Sequence, residues 1–251
     1  LLIVCTGKFT KMIPDIQGQA KEYTGTIVLG ATTPSYDRET EIDATFPTEH
    51  ITADLIEKTL PQFLGEIDQK PPVFSAIKKE GKRLYEHARE GSEVEIEARK
   101  TTIYEFEITR MALPEIDFRV KCSKGTYIRV LAEDLGNALG CGAHLVGLRR
   151  TEVGHLNLEQ AFTIESIQSG LQNSASYILP VDALLQTLPH LTVDEQQAKR
   201  LEMGQRVPLS LPSIEALVRI YRATAAPHNF IGTADWRSGV LHPKRLISQA
   251  H

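Results

Sequence analysis

The sequence is poor in the residues that mark several large protein classes. It holds three cysteines (Cys5, Cys122 and Cys141) in 251 residues, too few and too scattered for a disulfide framework, which points to a reducing cytoplasm. Cys141-Gly-Ala-His144 has a spacing that a metal accepts, but no second pair completes a tetrahedral set, so no metal is expected. No apolar run approaches the roughly 20 residues that span a bilayer, so no membrane partner is expected. No basic patch precedes the short apolar stretch Leu1 to Cys5, as one would in a secretory signal. Hydrolase, Walker and dinucleotide fingerprints are missing, and His87, His144 and His155 fall in no nucleophile–base pattern. An excess of positive charge is missing too. The 28 Lys and Arg face 32 Asp and Glu, for a net charge of −4, which taken alone speaks against nucleic acid as a partner. Phosphate contacts depend on local clusters, however, so net charge leaves the partner open.

What is present suits an ordinary globular chain. At 41% hydrophobic and 24% charged residues there is apolar material for a real core. Leu1 to Cys5 reads as the middle of a buried strand or helix, so the front of the protein is expected to be missing. Lys21 to Leu29 alternates and is rich in β-formers, the pattern of a strand. Thr52 to Leu64 has amphipathic helical spacing, with Thr52 as N-cap and Gly65 as stop. Pro71 to Ala76 must be extended, because consecutive prolines exclude a helix. A short helix is expected over Leu84 to Arg89, and two paired strands over 93–110 and 116–122, turning near Pro114. A helix over Val130 to Leu139 closes at Gly140, and a strand follows through Val153 to Leu158. The Ser/Gln/Asn-rich segment Gln168 to Ser176 reads as a linker or exposed loop. Short strands such as Val218 to Tyr221 and Phe230 to Thr233 then suggest a small β-rich domain. The expected fold class is α+β: a mixed, largely antiparallel sheet with flanking helices in residues 1–178, then a linker and the small domain in 179–251.

The chemistry concentrates in residues 122–151. Tyr127 and Arg129 lie two apart and share a face of an extended segment. Arg129 fits either a bidentate grip on a functional carboxylate or a structural ion pair with Glu133 or Asp134. Tyr23 fits either a packed strand tyrosine or a ring stacked on a base, where stacking contributes ~1–3 kcal/mol. Leu148-Arg149-Arg150 reads as a strand edge presenting phosphate contacts, with Leu148 walling a pocket, or as a plain surface pair. Lys78, Lys79, Lys82 and Arg83 surround Gly81, a composition that suits a loop closing over a polyanion or a solvated loop. Lys124, with Lys121 and Arg129, forms another basic cluster.

Taken in order, these stretches resemble the TruB family of bacterial tRNA pseudouridine synthases. Lys21-Glu22-Tyr23 is similar to the family's Lys-x-Tyr strand. Pro71 to Lys78 through Gly81 to Gly91 is similar to its RNA-gripping thumb loop. Cys122 to Asp134 and Gly140 to Arg150 are similar to its later active-site motifs, and Thr6 to Lys11 to the segment after its catalytic loop. The resemblance implies conversion of uridine to pseudouridine at position 55 in the T loop of tRNA, by base flipping and aspartate attack, without a cofactor. It implies that Tyr23 stacks on the flipped base and joins a later proton transfer, and that Arg129 pairs with the nucleophilic aspartate. Tyr127 and Leu148 would shape the pocket. The thumb loop, Lys124 and Arg149-Arg150 would hold the RNA, largely through shape and backbone. The family's Gly-Thr-Leu-Asp-Pro loop is expected just ahead of Leu1. None of Asp15, Asp37, Asp43 or Asp134 stands in that motif, so none is nominated as nucleophile. Thr33-Pro34-Ser35-Tyr36-Asp37 replaces the more usual Thr-Asp-Thr-x-Asp. Gly204 to Val207, Phe230 to Gly232 and Leu241 to Leu246 resemble a PUA-like RNA-binding domain, with Lys244 and Arg245 as contacts to the tRNA stem. The likeness favours a monomer. The alternative is a non-catalytic tRNA-binding or RNA-folding protein that keeps the cleft.

Overall fold

Alternating apolar residues need a partner for their buried face, and sheet pairing supplies it. The computed structural model describes residues 1–75, 78–79, 82–84, 96–170, 177–210, 214–223 and 229–247. The chain divides into two compact units, Leu1 with Gln19–Glu159 and Leu2–Gly18 with Gln160–His251.

The first unit is built on six strands in the order Leu156–Asn157, Ala143–Val153, Lys21–Leu29, Glu115–Cys122, Arg99–Ala112 and Gly65–Gln69. Every neighbouring pair is antiparallel. Glu115–Cys122 shows the period of two plainly, with Ile116, Phe118, Val120 and Cys122 buried in alternation. These residues join Ile128, Leu131 and Leu135 of the helix Ile128–Ala138 in one core. Phe63, Phe106 and Phe118 stack edge to face at 6.3 and 6.1 Å, each burial stabilising by roughly 1.5–3 kcal/mol. On the other face Arg119 bonds Glu22, Glu105 and Glu107 at 2.7, 2.6 and 2.9 Å.

The helix Ile128–Ala138 packs on the strand Ala143–Val153 through Gly136, where a Cβ would run into the Gly142–Ala143 backbone. Gly140, at φ 74°, reverses the chain after that helix, as its sequence position suggested. Thr52 caps the helix Ala53–Thr59, its hydroxyl accepting from the Leu55 N–H at 3.2 Å. Pro61 has no N–H to continue that ladder, so the last turn, Leu60–Phe63, tightens to a 3-10 helix.

Three sequence expectations change. Leu1 to Cys5 is not a buried element: it has no regular structure, and Leu2 and Val4 are 77% and 75% exposed. The strand expected through Val153 to Leu158 is the end of a hairpin. Ala143–Val153 stops at Val153, the chain turns at Gly154, and Leu156 pairs back on Val153. Gln168 and Ser169, read as linker, close the helix Ile164–Ser169, whereas 171–176 lie outside the described residues. The backbones of Lys78–Lys79 and Lys82–Arg83 pair as a short ladder. Of the helix expected over Leu84 to Arg89, Leu84 is helical and 85–89 lie outside the described residues.

The second unit carries five strands in the order His190–Val193, Ala216–Arg222, Phe230–Arg237, Val240–Leu246 and Val207–Pro208. The first pair is parallel and the rest antiparallel. Val218, Ile220, Trp236 and Leu241 form its core with Ala198 and Leu201 of the helix Glu195–Glu202. Asp194 starts that helix with a full capping box, satisfying two donors at once. Met12, Leu185 and Phe230 form a second cluster in the same unit. The architecture is the α+β class expected, with a small β-rich C-terminal part.

Candidate active site

The centre of the first unit's polar chemistry is Arg129, in the first turn of the helix Ile128–Ala138. Its guanidinium donates to Asp37 Oδ2 at 2.6 Å and to the Phe74 carbonyl, and stands 3.9 Å from Glu39. The side chains of Arg129 and Asp37 are 18% and 24% exposed, so the pair is shielded enough for geometry to matter. The structural partners considered from sequence, Glu133 and Asp134, are not the ones used: both follow on the same helix, and Arg129 reaches across to the 33–40 loop instead.

That loop is built to hold one carboxylate still. Ser35, fully buried, donates to Asp37 Oδ1 at 2.7 Å, and the Glu39 N–H donates to the same oxygen at 2.9 Å. Thr33 Oγ1 donates to the Asp37 carbonyl at 2.7 Å, and Ser35 and Thr40 hydroxyls lie 2.9 Å apart. Tyr36 takes φ 63°, a strained conformation for a non-glycine residue that costs about 1–3 kcal/mol. Its carbonyl accepts from the Leu145 N–H at 2.9 Å, anchoring the turn to the sheet. Burial would raise the Asp37 carboxyl, but the Glu39 N–H, the Ser35 hydroxyl and the Arg129 guanidinium together hold it below the ordinary carboxylate value.

Tyr127 is the N-cap of the Arg129 helix, with no side-chain cap of its own. The buried Gln69 takes hold of its peptide. The Tyr127 N–H donates to Gln69 Oε1 at 2.7 Å, and Gln69 Nε2 donates to the Tyr127 carbonyl at 3.1 Å. Tyr127 itself is half-buried, and Lys124 is exposed in the turn just before it.

Tyr23 belongs to a second grouping on the sheet. It sits beside a register shift of the strand Lys21–Leu29, opposite Arg150, and packs on the core. Burial pushes its phenol up, partly offset by a hydrogen bond from Arg150. Arg150 also donates from Nε to the Leu1 carbonyl at 2.8 Å. Arg149 and Leu148 are exposed, and both line a recess with Thr24, Thr26 and Gly147. Tyr127 and Arg129 thus stand at one helix start and not on the face of an extended segment, Tyr23 lies by Arg150, and Leu148 and Arg149 meet at the recess. In the second unit Lys244 is exposed, 3.4 Å from Asp235, and Arg245 ion-pairs with Asp15. The side chains of Lys78, Lys79, Lys82 and Arg83 lie outside the described residues.

Sequence reasoning set Asp37 aside as a nucleophile and did not see it as the partner of Arg129. It named Ser35 only as part of the 33–37 departure from the family pattern, and passed over Gln69 altogether. The run Thr33, Ser35, Asp37 and Thr40 was a usable signal, because short polar side chains at that spacing bond their own loop. Nothing local marks Gln69, whose partner lies 58 residues away.

Comparison with known proteins bears on this geometry. Three family models match in succession: the TruB family pseudouridylate synthase N-terminal domain over 1–128, the tRNA pseudouridylate synthase B C-terminal domain over 129–186, and the pseudouridine synthase II TruB C-terminal region over 189–247. A tRNA pseudouridine synthase B of Flavobacterium johnsoniae is 68% identical over 172 residues, covering 68% of this chain and 75% of that protein. One from Ralstonia nicotianae is 46% identical over 255 residues, covering 98% of this chain and 81% of its own. Among solved structures, a Cbf5-Nop10-Gar1 complex matches with TM-score 0.67 at 22% identity, over 92% of this chain and 64% of that one. An H/ACA RNP bound to a substrate RNA containing 2'-deoxyuridine matches with TM-score 0.68 at 18% identity, over 97% and 71%. The structural matches speak to the fold alone. On the sequence matches, which run nearly end to end, the chain belongs to the TruB family of pseudouridylate synthases.

Proposed function

We propose that this protein isomerises uridine 55 in the T loop of tRNA to pseudouridine, as a cytoplasmic monomer that uses no cofactor. The observation that carries this reading is Arg129, a guanidinium held by Asp37 and the Phe74 carbonyl at the start of a helix. A cation fixed in place in a shielded site is suited to orient a nucleophilic carboxylate and keep it ionised. In the reaction the target base leaves its stack and the family's nucleophilic aspartate, a residue other than Asp37, attacks the nucleoside. The N1–C1' bond breaks, the uracil turns, a C5–C1' bond forms as the carboxylate is released, and the C5 proton goes to solvent while N1 takes one up.

Tyr23 stacks on the flipped base, and its phenol, which burial pushes further up from its ordinary value, is available for the closing proton transfer. Tyr127 and Leu148 shape the pocket around the base. Lys78, Lys79, Lys82, Arg83, Lys124, Arg149 and Arg150 hold the RNA backbone, with Lys244 and Arg245 contributing on the stem. The test is tritium release from C5-labelled uridine in a T stem-loop RNA, with protein made from the full reading frame. Release supports the isomerase. RNA bound without release means the rival reading, a tRNA-binding or RNA-folding protein, is the correct one.

A further inference from the structure

Gln69 ends the strand Gly65–Gln69 and is 3% exposed. Burying a primary amide is unfavourable unless its donor and acceptor are both used. Here both go to one peptide, that of Tyr127, which otherwise starts its helix without a side-chain cap. An apolar residue of the same length would fill the space at less desolvation cost. What the amide adds is direction, since it fixes the helix start in position and orientation relative to the sheet. Two residues on, the helix carries Arg129. Five residues after Gln69 in the chain, the Phe74 carbonyl takes the Arg129 guanidinium. Pro71 and Pro72 stand between these two anchors and restrict the backbone that joins them. One short segment therefore holds Arg129 at both ends, by the backbone through Gln69 and by the guanidinium through Phe74.

We propose that Gln69 is a positioning residue for the isomerisation, acting through the Tyr127 peptide to set the place of Arg129. This rests on the isomerase reading given above. Gln69 touches no reacting atom, so it governs the rate of the chemical step and leaves RNA affinity alone. Small displacements of a positioned group can cost about a hundred-fold in rate.

The test is a double-mutant cycle of Gln69→Met and Arg129→Lys, read by single-turnover tritium release, with tRNA Kd measured alongside. With Arg129 present, Gln69→Met should lower the rate constant by about ten-fold or more while Kd moves by less than about three-fold. In the Arg129→Lys background the same change should cost less than about three-fold, because the group it positions is already altered. Equal losses in both backgrounds would overturn the positioning role and leave a generally structural one. So would a Gln69→Met rate close to wild type, or a Kd that rises in step with the loss of rate. Should Gln69→Met not fold, Gln69→Glu keeps the acceptor for the Tyr127 N–H, loses the donor, and is run through the same cycle with the same criteria. Wild-type protein that binds tRNA without releasing tritium would instead sink the isomerase reading itself, an outcome distinct from an active enzyme indifferent to Gln69.

Discussion

Replacing Asp37 with Asn isolates the carboxylate that steadies Arg129. The aspartate accepts from Arg129 at 2.6 Å, from Ser35 at 2.7 Å and from the Glu39 N–H at 2.9 Å. Asparagine keeps one oxygen for the Ser35 and Glu39 donors but turns its own NH2 toward the guanidinium. What is lost is a charge-assisted hydrogen bond in a shielded site, a loss of about 1.5–3 kcal/mol. Expressed wholly in the order of Arg129 at the transition state, that is a rate loss of roughly ten- to a hundred-fold. Single-turnover tritium release should show it, with tRNA affinity nearly unchanged. The same variant has a pH signature. The Asp37 carboxyl lies lower in the folded protein than the unfolded value of about 3.9. Its stabilising contribution is therefore present above that value and lost as pH falls through the folded one. The stability gap between wild type and Asp37→Asn should be flat from about pH 8 to 5 and narrow below about pH 4. A rate within about three-fold of wild type would refute the claim that this pair orders Arg129. A gap that widens on acidification would refute the sign of the shift.

Other consequences are equally direct. Arg129→Ala should nearly abolish turnover while tRNA binding stays within a few-fold, and unchanged turnover in steady-state assays would remove Arg129 from the active site. Tyr23→Phe should keep the stacking ring yet slow the reaction, and normal kinetics would deny the hydroxyl any part in proton transfer. Gly136→Ala should lower the thermal midpoint, because its methyl meets the Gly142–Ala143 backbone. Overpacking of this kind costs about 1–3 kcal/mol, readable by calorimetry, and an unshifted midpoint would mean the helix slides freely on its strand.

Much of the fold was legible from local chemistry. The strand Lys21–Leu29, the Thr52 cap, the hairpin around Pro114 and the helix stop at Gly140 each follow from residues next to one another, whose periodicity or backbone preference acts within a few positions. Local reasoning failed at Leu1 to Cys5, where an apolar run was read as buried though Leu2 and Val4 are exposed, because hydrophobicity alone does not say what covers a side chain. The Val153 to Leu158 stretch failed for a related reason: β-formers were counted across a turn that Gly154 makes at φ 61°.

The site divides along the same line. Sequence by itself determined which side chains are on offer, since a phenol, a guanidinium and a family motif are properties of the chain, and it led to the family without any contact being known. Only the tertiary structure decided what those residues touch. Arg129 meets a carboxylate 92 positions away and the Phe74 carbonyl 55 positions away, and Tyr127 is held by an amide 58 away. No periodicity reaches across such separations. Folding brings these groups together because the apolar faces of one sheet and one helix must be buried against each other, and the partners of Arg129 are whichever polar atoms that burial leaves within reach.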